Sequence, residues 1–187
     1  MQVDRFLYPV HALGPGERLV IWFQGCEKHC RNCANPELQK EDPSKNISLS
    51  VFEDVLDQIS EYGIDGLTLT GGEPLYQAGE LLEWIDRARM VTDDILMFTG
   101  YSPNEIVLLG ETANECIRKC SVVIAGEYID ELNDNHTALL ASSNQQILWI
   151  DSEKRSLYLE YMNEGRTIEN VFSKDTLVSV GIHNRRE

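Results

Sequence analysis

Gly25-Cys26-Glu27-Lys28-His29-Cys30-Arg31-Asn32-Cys33-Ala34-Asn35 follows directly on the apolar run Arg18-Leu19-Val20-Ile21-Trp22-Phe23-Gln24 and sets three thiols in C-x3-C-x2-C spacing. The run has the β-branched and aromatic content of a buried strand, so the cysteines belong to the loop at its end. A [4Fe–4S] cube has four irons, and thiolates are their usual protein ligands. Three close cysteines without a nearby fourth leave one iron open to a non-protein ligand. Zinc stays open as well, because His29 could complete a Cys3His set, and so does a disulfide. Structural zinc sites, however, usually divide their ligands between two separated pairs, and no second cluster follows here.

A second motif, Gly71-Gly72-Glu73-Pro74, ends the run Asp65-Gly66-Leu67-Thr68-Leu69-Thr70. The run reads as another buried strand. Paired glycines let a backbone adopt positive φ and approach a ligand closely, and Glu73 is then a carboxylate at a strand end. Alone, such a tetrapeptide is more often just a turn. Its place after the second strand, as the cysteine loop follows the first, changes that reading.

Together these two motifs resemble the radical S-adenosylmethionine (SAM) enzymes, and within them the activating enzymes of glycyl radical enzymes, the anaerobic ribonucleotide reductase and pyruvate formate-lyase activator group. The resemblance extends to Leu13-Gly14-Pro15-Gly16, residues 26–35, Thr99-Gly100-Tyr101, Gly126-Glu127-Tyr128 and Ser142-Ser143-Asn144-Gln145, in the family's order. It implies a shortened, open (β/α) barrel. It also implies that Cys26, Cys30 and Cys33 each bind one iron of a [4Fe–4S] cluster while SAM chelates the fourth. Gly71, Gly72 and Glu73 would hold the amino end of SAM. Asn32, Cys33 and Ala34 would border the adenine, and Thr99 the ribose or methionine. One electron from the cluster would cleave SAM to methionine and a 5′-deoxyadenosyl radical, which abstracts a hydrogen atom.

The implied partner is a glycyl radical enzyme, with flavodoxin or ferredoxin as electron donor. A stand-alone enzyme acting on a peptide or small molecule is the alternative, and a non-catalytic zinc or Fe–S interaction module a third reading. Where the subgroup carries Asp-Gly and Arg-Gly, this chain has Ala125-Gly126 and Leu140-Ala141.

Composition sets limits. At 187 residues the chain reads as one domain, residues 1–187, with a core over about 1–150 and a β-rich tail over about 151–187. No apolar run approaches the roughly 20 residues needed to span a bilayer, so a cytoplasmic protein is expected. Five cysteines, three of them clustered, suit metal binding in a reducing compartment. A net charge of −15 argues against nucleic acid, whose phosphates need a concentrated basic face. Acidic electron donors would then need a local basic patch. Lys28 and Arg31 are candidates, and equally read as ordinary solvated loop charges.

Strands and helices alternate along the chain, as a parallel α/β arrangement requires. A capping box at Ser50 and Glu53 is expected to open a helix that runs through Glu61 to Gly63. Further helices are expected over residues 78–90 and after the Ser102-Pro103-Asn104-Glu105 box, and strands over 95–99, 121–125 and 146–150. In the tail, residues 156–161, 166–172 and 176–182 read as short β segments, with Ser173-Lys174-Asp175 as a hairpin connection that closes an open sheet edge. Cys116 and Cys120 read as buried helix residues, and Trp22, Trp84 and Trp149 as core. Tyr101 and Tyr128 sit at strand ends, where packing is the plainer role. His11, His136 and His183 show no carboxylate or cysteine constellation.

Overall fold

A computed structural model describes residues 1–173 and 176–185 of the chain. Its centre is a six-stranded sheet in the order β1 (Val3–Val10), β2 (Arg18–Phe23), β3 (Gly66–Gly71), β4 (Ile95–Thr99), β5 (Val122–Ala125) and β6 (Gln146–Trp149). The four inner strands pair in parallel, and β1 and β6 pair antiparallel at the two edges. The inner strands are continuous apolar runs because both of their faces are covered. Leu19, Ile21 and Phe23 face one core with Met97 and Val123, whereas Val20 and Trp22 face the other side.

Helices α1 (Leu49–Ser60), α2 (Ala78–Ala88) and α4 (Glu111–Arg118) cover the first face, while α3 (Pro103–Leu108) follows β4. Phe52 of α1 stacks on Trp84 of α2 with ring centroids 4.4 Å apart. The α3 capping box forms as expected, with Ser102 and Glu105 bonded reciprocally. The box expected at Ser50 does not. The first helix begins two residues earlier behind Ser48, whose hydroxyl pairs with that of Ser50, and Glu53 reaches Arg87 instead at 2.9 Å.

Strand β1 carries no strand signature in the sequence, because its half-buried residues mix polar and apolar types without a clean period. Residues 156–161, expected as strand, lie in helix α5 (Arg155–Asn163). Leu157 and Leu159 mimic strand alternation but stay exposed. Tyr158, Tyr161 and Met162, at helical spacing, carry the buried face.

Strands β7 (Ile168–Ser173) and β8 (Thr176–Gly181) form the expected hairpin as a separate two-stranded sheet; Lys174 and Asp175 of its connection lie outside the described residues. Among the described residues the hairpin pairs with no edge strand of the main sheet. It covers a face, placing Val180 against Val10, Leu13, Val20 and Trp22. Glu169 of β7 accepts from His11 N and Ala12 N at 2.9 and 2.8 Å and pairs with His11 Nδ1 at 3.0 Å, so His11 does have a carboxylate partner.

The N-terminal ends of β2, β3 and β4 are locked by a buried Arg18. Its guanidinium reaches Asp94 Oδ2 at 2.8 Å, Thr68 Oγ1 at 2.7 Å, and the Leu67 and Pro15 carbonyls at 2.8 and 3.0 Å. Tyr158 donates to the other Asp94 oxygen at 2.8 Å. The Leu13-Gly14-Pro15-Gly16 stretch wraps this arginine. It serves the fold at the end of the sheet opposite the cysteines.

Candidate functional site

The four parallel strands share one C-terminal rim, the edge at which open α/β sheets gather their ligands. The cysteine loop leaves β2 there, the Gly71–Pro74 turn leaves β3, Thr99 ends β4, and residues 126–132 follow β5. The cysteine loop is closed at its base. Gly25 N donates to Leu38 O at 2.8 Å and Cys26 N to Gln39 O at 2.9 Å, so residues 26–38 form a compact excursion.

The glycines of the second motif fit against this base. Gly71 has φ +104°, and a Cβ there would come within 2.4 Å of the Phe23 backbone nitrogen. Gly72 lacks the positive φ, yet a Cβ on it would lie 2.3 Å from the Gly25 carbonyl oxygen. What requires Gly72 is contact with the root of the cysteine loop. Next to it, Glu73 N donates to that same oxygen at 2.8 Å.

Glu73 is 1% exposed. Its Oε1 accepts from Leu75 N at 3.0 Å and Thr99 Oγ1 at 2.8 Å, and Oε2 from Gly100 N at 2.7 Å. This one carboxylate joins the end of β3 to the end of β4. Burial pushes its pKa up to about 7, against the opposing pull of those donors and of Lys28. Oε2 keeps room for a further donor, since a carboxylate oxygen accepts two.

The three cysteines are free and half-buried. Burial raises the Cys26 thiol against the opposing N–H groups of Lys28 and His29. The same cause lifts Cys30 to about 11 against the Tyr128 N–H. The Cys26 and Cys30 thiols are therefore protonated at neutral pH, and loading a metal on them must release protons. Among the described residues no three His, Cys, Asp or Glu side chains converge on one point. The His29 ring faces Gln39 Oε1 at 3.4 Å. Three free, half-buried thiols on one loop at the strand rim are the donor type that Fe–S ligation uses, so the residues present fit a cluster.

The loop is held from two sides. Tyr101 OH donates to Glu27, and Lys28 Nζ bonds Glu105 at 2.7 Å and lies 4.2 Å from the Tyr101 ring centroid. Lys28 is 13% exposed and neutralised, so it is neither an ordinary solvated charge nor a free docking contact, while Arg31, 79% exposed, pairs with Glu131 at 3.1 Å. On the second side Asn32, at φ +57°, donates to Asp130 at 3.0 Å.

Residues 142–145 support that side. Ser142 Oγ accepts from Ile129 N at 3.1 Å, Asn144 donates to Glu127 O at 2.8 Å, and Gln145 to Gly126 O at 2.9 Å. The Ser-Ser-Asn-Gln stretch is a scaffold for the loop after β5. Sequence reading alone could not assign it that role. Cys116 and Cys120 are buried as expected, away from the rim, but only Cys116 lies in a helix, since α4 ends before Cys120.

Over residues 12–148 the chain matches the family described as 4Fe-4S single cluster domain. It is 31% identical over 159 residues to the anaerobic ribonucleoside-triphosphate reductase-activating protein of Enterobacteria phage T4, which covers 82% of this chain and 96% of that protein. The protein of the same name from Escherichia coli strain K12 is 25% identical over 147 residues, 75% of this chain and 94% of that one. The pyruvate formate-lyase-activating enzyme of Listeria monocytogenes is 35% identical over 77 residues, 38% of this chain and 30% of that enzyme. The chain belongs to the 4Fe-4S single cluster domain family and groups there with the radical SAM activating enzymes, which use a [4Fe–4S] cluster and SAM.

Proposed function

We propose that this protein is an activase that removes a hydrogen atom from a glycine of a partner glycyl radical enzyme, of the anaerobic ribonucleotide reductase type. In this reading residues 1–187 act as one domain, built as an open (β/α) barrel, in the cytoplasm, with a flavodoxin or ferredoxin supplying electrons. Cys26, Cys30 and Cys33 each hold one iron. The backbone of Gly71 and Gly72 and the remaining acceptor position of Glu73 receive the amino end of SAM. Asn32, Cys33 and Ala34 border the adenine, and Thr99 the ribose or methionine. When bound, the cluster and SAM supply one-electron cleavage of the sulfonium to methionine and a 5′-deoxyadenosyl radical.

The protein's share is positioning and shielding. Glu73 ties β3 to β4 directly behind the cysteine loop, so the irons, the amino-group acceptor and Thr99 keep fixed relative places. The half-buried loop limits water at the cluster. The observation that carries the reading is the join of the two motifs through Gly25 O, the contact point of both Gly72 and Glu73.

Anaerobic reconstitution should give about four irons and four sulfides per chain. A reduced sample should show a cluster resonance that changes on adding SAM, and incubation with the purified partner reductase should yield a glycyl radical. Stoichiometric zinc without sulfide in an active protein would sink the reading.

A further inference from the structure

The segment after residue 148 lies outside the residues that match the family, yet it reaches the site. Asp130, with its side chain 7% exposed, accepts from Tyr128 OH at 2.8 Å on Oδ1, and from Asn32 Nδ2 at 3.0 Å and Arg185 Nε at 3.1 Å on Oδ2. One carboxylate thus collects the loop after β5, the cysteine loop and the C-terminal tail. The tail is itself secured. Arg185 N donates to Asn135 Oδ1 at 2.6 Å, and the buried Arg166 donates to the Leu140, Thr137 and His183 carbonyls at 2.8, 3.1 and 3.1 Å.

We propose that Asp130 is a positioning residue for the cysteine loop, and that the C-terminal tail locks it through Arg185. Asn32 stands in the left-handed region that a non-glycine residue enters at a cost. Its side-chain bond to Asp130 offsets that cost and fixes the turn just before Cys33. Two acceptor bonds on Oδ2 hold the carboxylate in the one orientation that serves Asn32. The assignment concerns the loop in the protein without iron, so it does not depend on the radical chemistry proposed above.

The test is thiol reactivity and amide hydrogen exchange in the full-length, iron-free protein. Asp130→Asn should raise the reaction rate of Cys26, Cys30 and Cys33 with a disulfide reagent, and the exchange of residues 27–35, by about tenfold, as expected for losing charged hydrogen bonds. Arg185→Glu, a half-exposed position, should give about threefold, and Arg185→Lys should restore most of the protection. Cys116 and Cys120 serve as internal controls and should react no faster. A general loosening that speeds all five thiols alike would overturn the assignment. So would an unchanged cysteine loop in both Asp130→Asn and Arg185→Glu, and equal effects of Lys and Glu at position 185 would overturn the lock by the tail.

Discussion

Gly72→Ala tests the join between the two motifs most directly. The added Cβ would lie 2.3 Å from the Gly25 carbonyl oxygen, 2.9 Å from its carbon and 3.0 Å from Leu38 O, all backbone atoms that cannot rotate away. Reaching an ordinary contact of 3.4 Å moves Gly25 by about 1 Å. Such a shift breaks the 2.8 Å bond from Glu73 N and strains the 2.8 Å bond from Gly25 N to Leu38 O. Overpacking costs about 1–3 kcal/mol and a lost buried hydrogen bond about 1 kcal/mol, for a total of roughly 2–4 kcal/mol. In a chain of this size that lowers Tm by on the order of 10 °C. Because Cys26 follows Gly25, iron uptake should fall with it.

Gly79→Ala is the control, since nothing lies within 4 Å of a Cβ at that position in α2, and it should stabilise by up to about 1 kcal/mol. The assay is thermal unfolding of the iron-free proteins by circular dichroism, followed by iron and sulfide analysis after reconstitution. A Gly72→Ala protein that melts with the wild type and loads iron normally would refute the reasoning.

Single replacement of Cys26, Cys30 or Cys33 by Ala should abolish cluster loading with little change in unfolding, whereas Cys116→Ala should keep iron and lose about 1 kcal/mol of core packing, read from iron content and urea midpoints. Glu73 has a folded pKa raised from 4.5 to about 7, so its contribution to stability is present below 4.5 and lost as pH rises through 7. The stability of wild type relative to Glu73→Gln should therefore fall by roughly 3 kcal/mol between pH 4 and pH 8, and a constant difference would show that Glu73 titrates normally. Glu73→Gln should also weaken SAM binding to the reconstituted protein by about tenfold or more, measured by equilibrium dialysis, with iron content retained. Arg18→Met strands Asp94 without its buried partner and should cost about 3–5 kcal/mol in a urea titration while leaving the rim chemistry of the folded fraction intact.

What could be read in the sequence was what local chemistry dictates. C-x3-C-x2-C and Gly71-Gly72-Glu73-Pro74 announce themselves because metal ligation and tight turns need specific residue types at fixed spacing. The inner strands announce themselves because burial on both faces leaves unbroken apolar runs. The Ser102–Glu105 box needs only its own four residues, and it formed as read. Elements decided by distant partners were illegible.

Strand β1 is a strand because β2 offers it an edge, and the helix at residues 155–163 was hidden by two exposed leucines that imitate strand alternation. Gly72 illustrates the limit within the site itself. Sequence marks it as a place where backbone comes close to something, and only the fold shows that the something is Gly25 O. In the same way the basic character of Lys28 was visible, but its neutralisation by Glu105 was not, since 77 residues separate them in the chain. The motifs name the candidate site residues. Contacts between motifs, which no single stretch encodes, set their positions: Glu73 with Thr99 and Gly100, Asn32 with Asp130, and Asp130 with a tail beyond the family's boundary. Substitutions at these joins should therefore change how well the cysteines are held without changing which residues can bind iron.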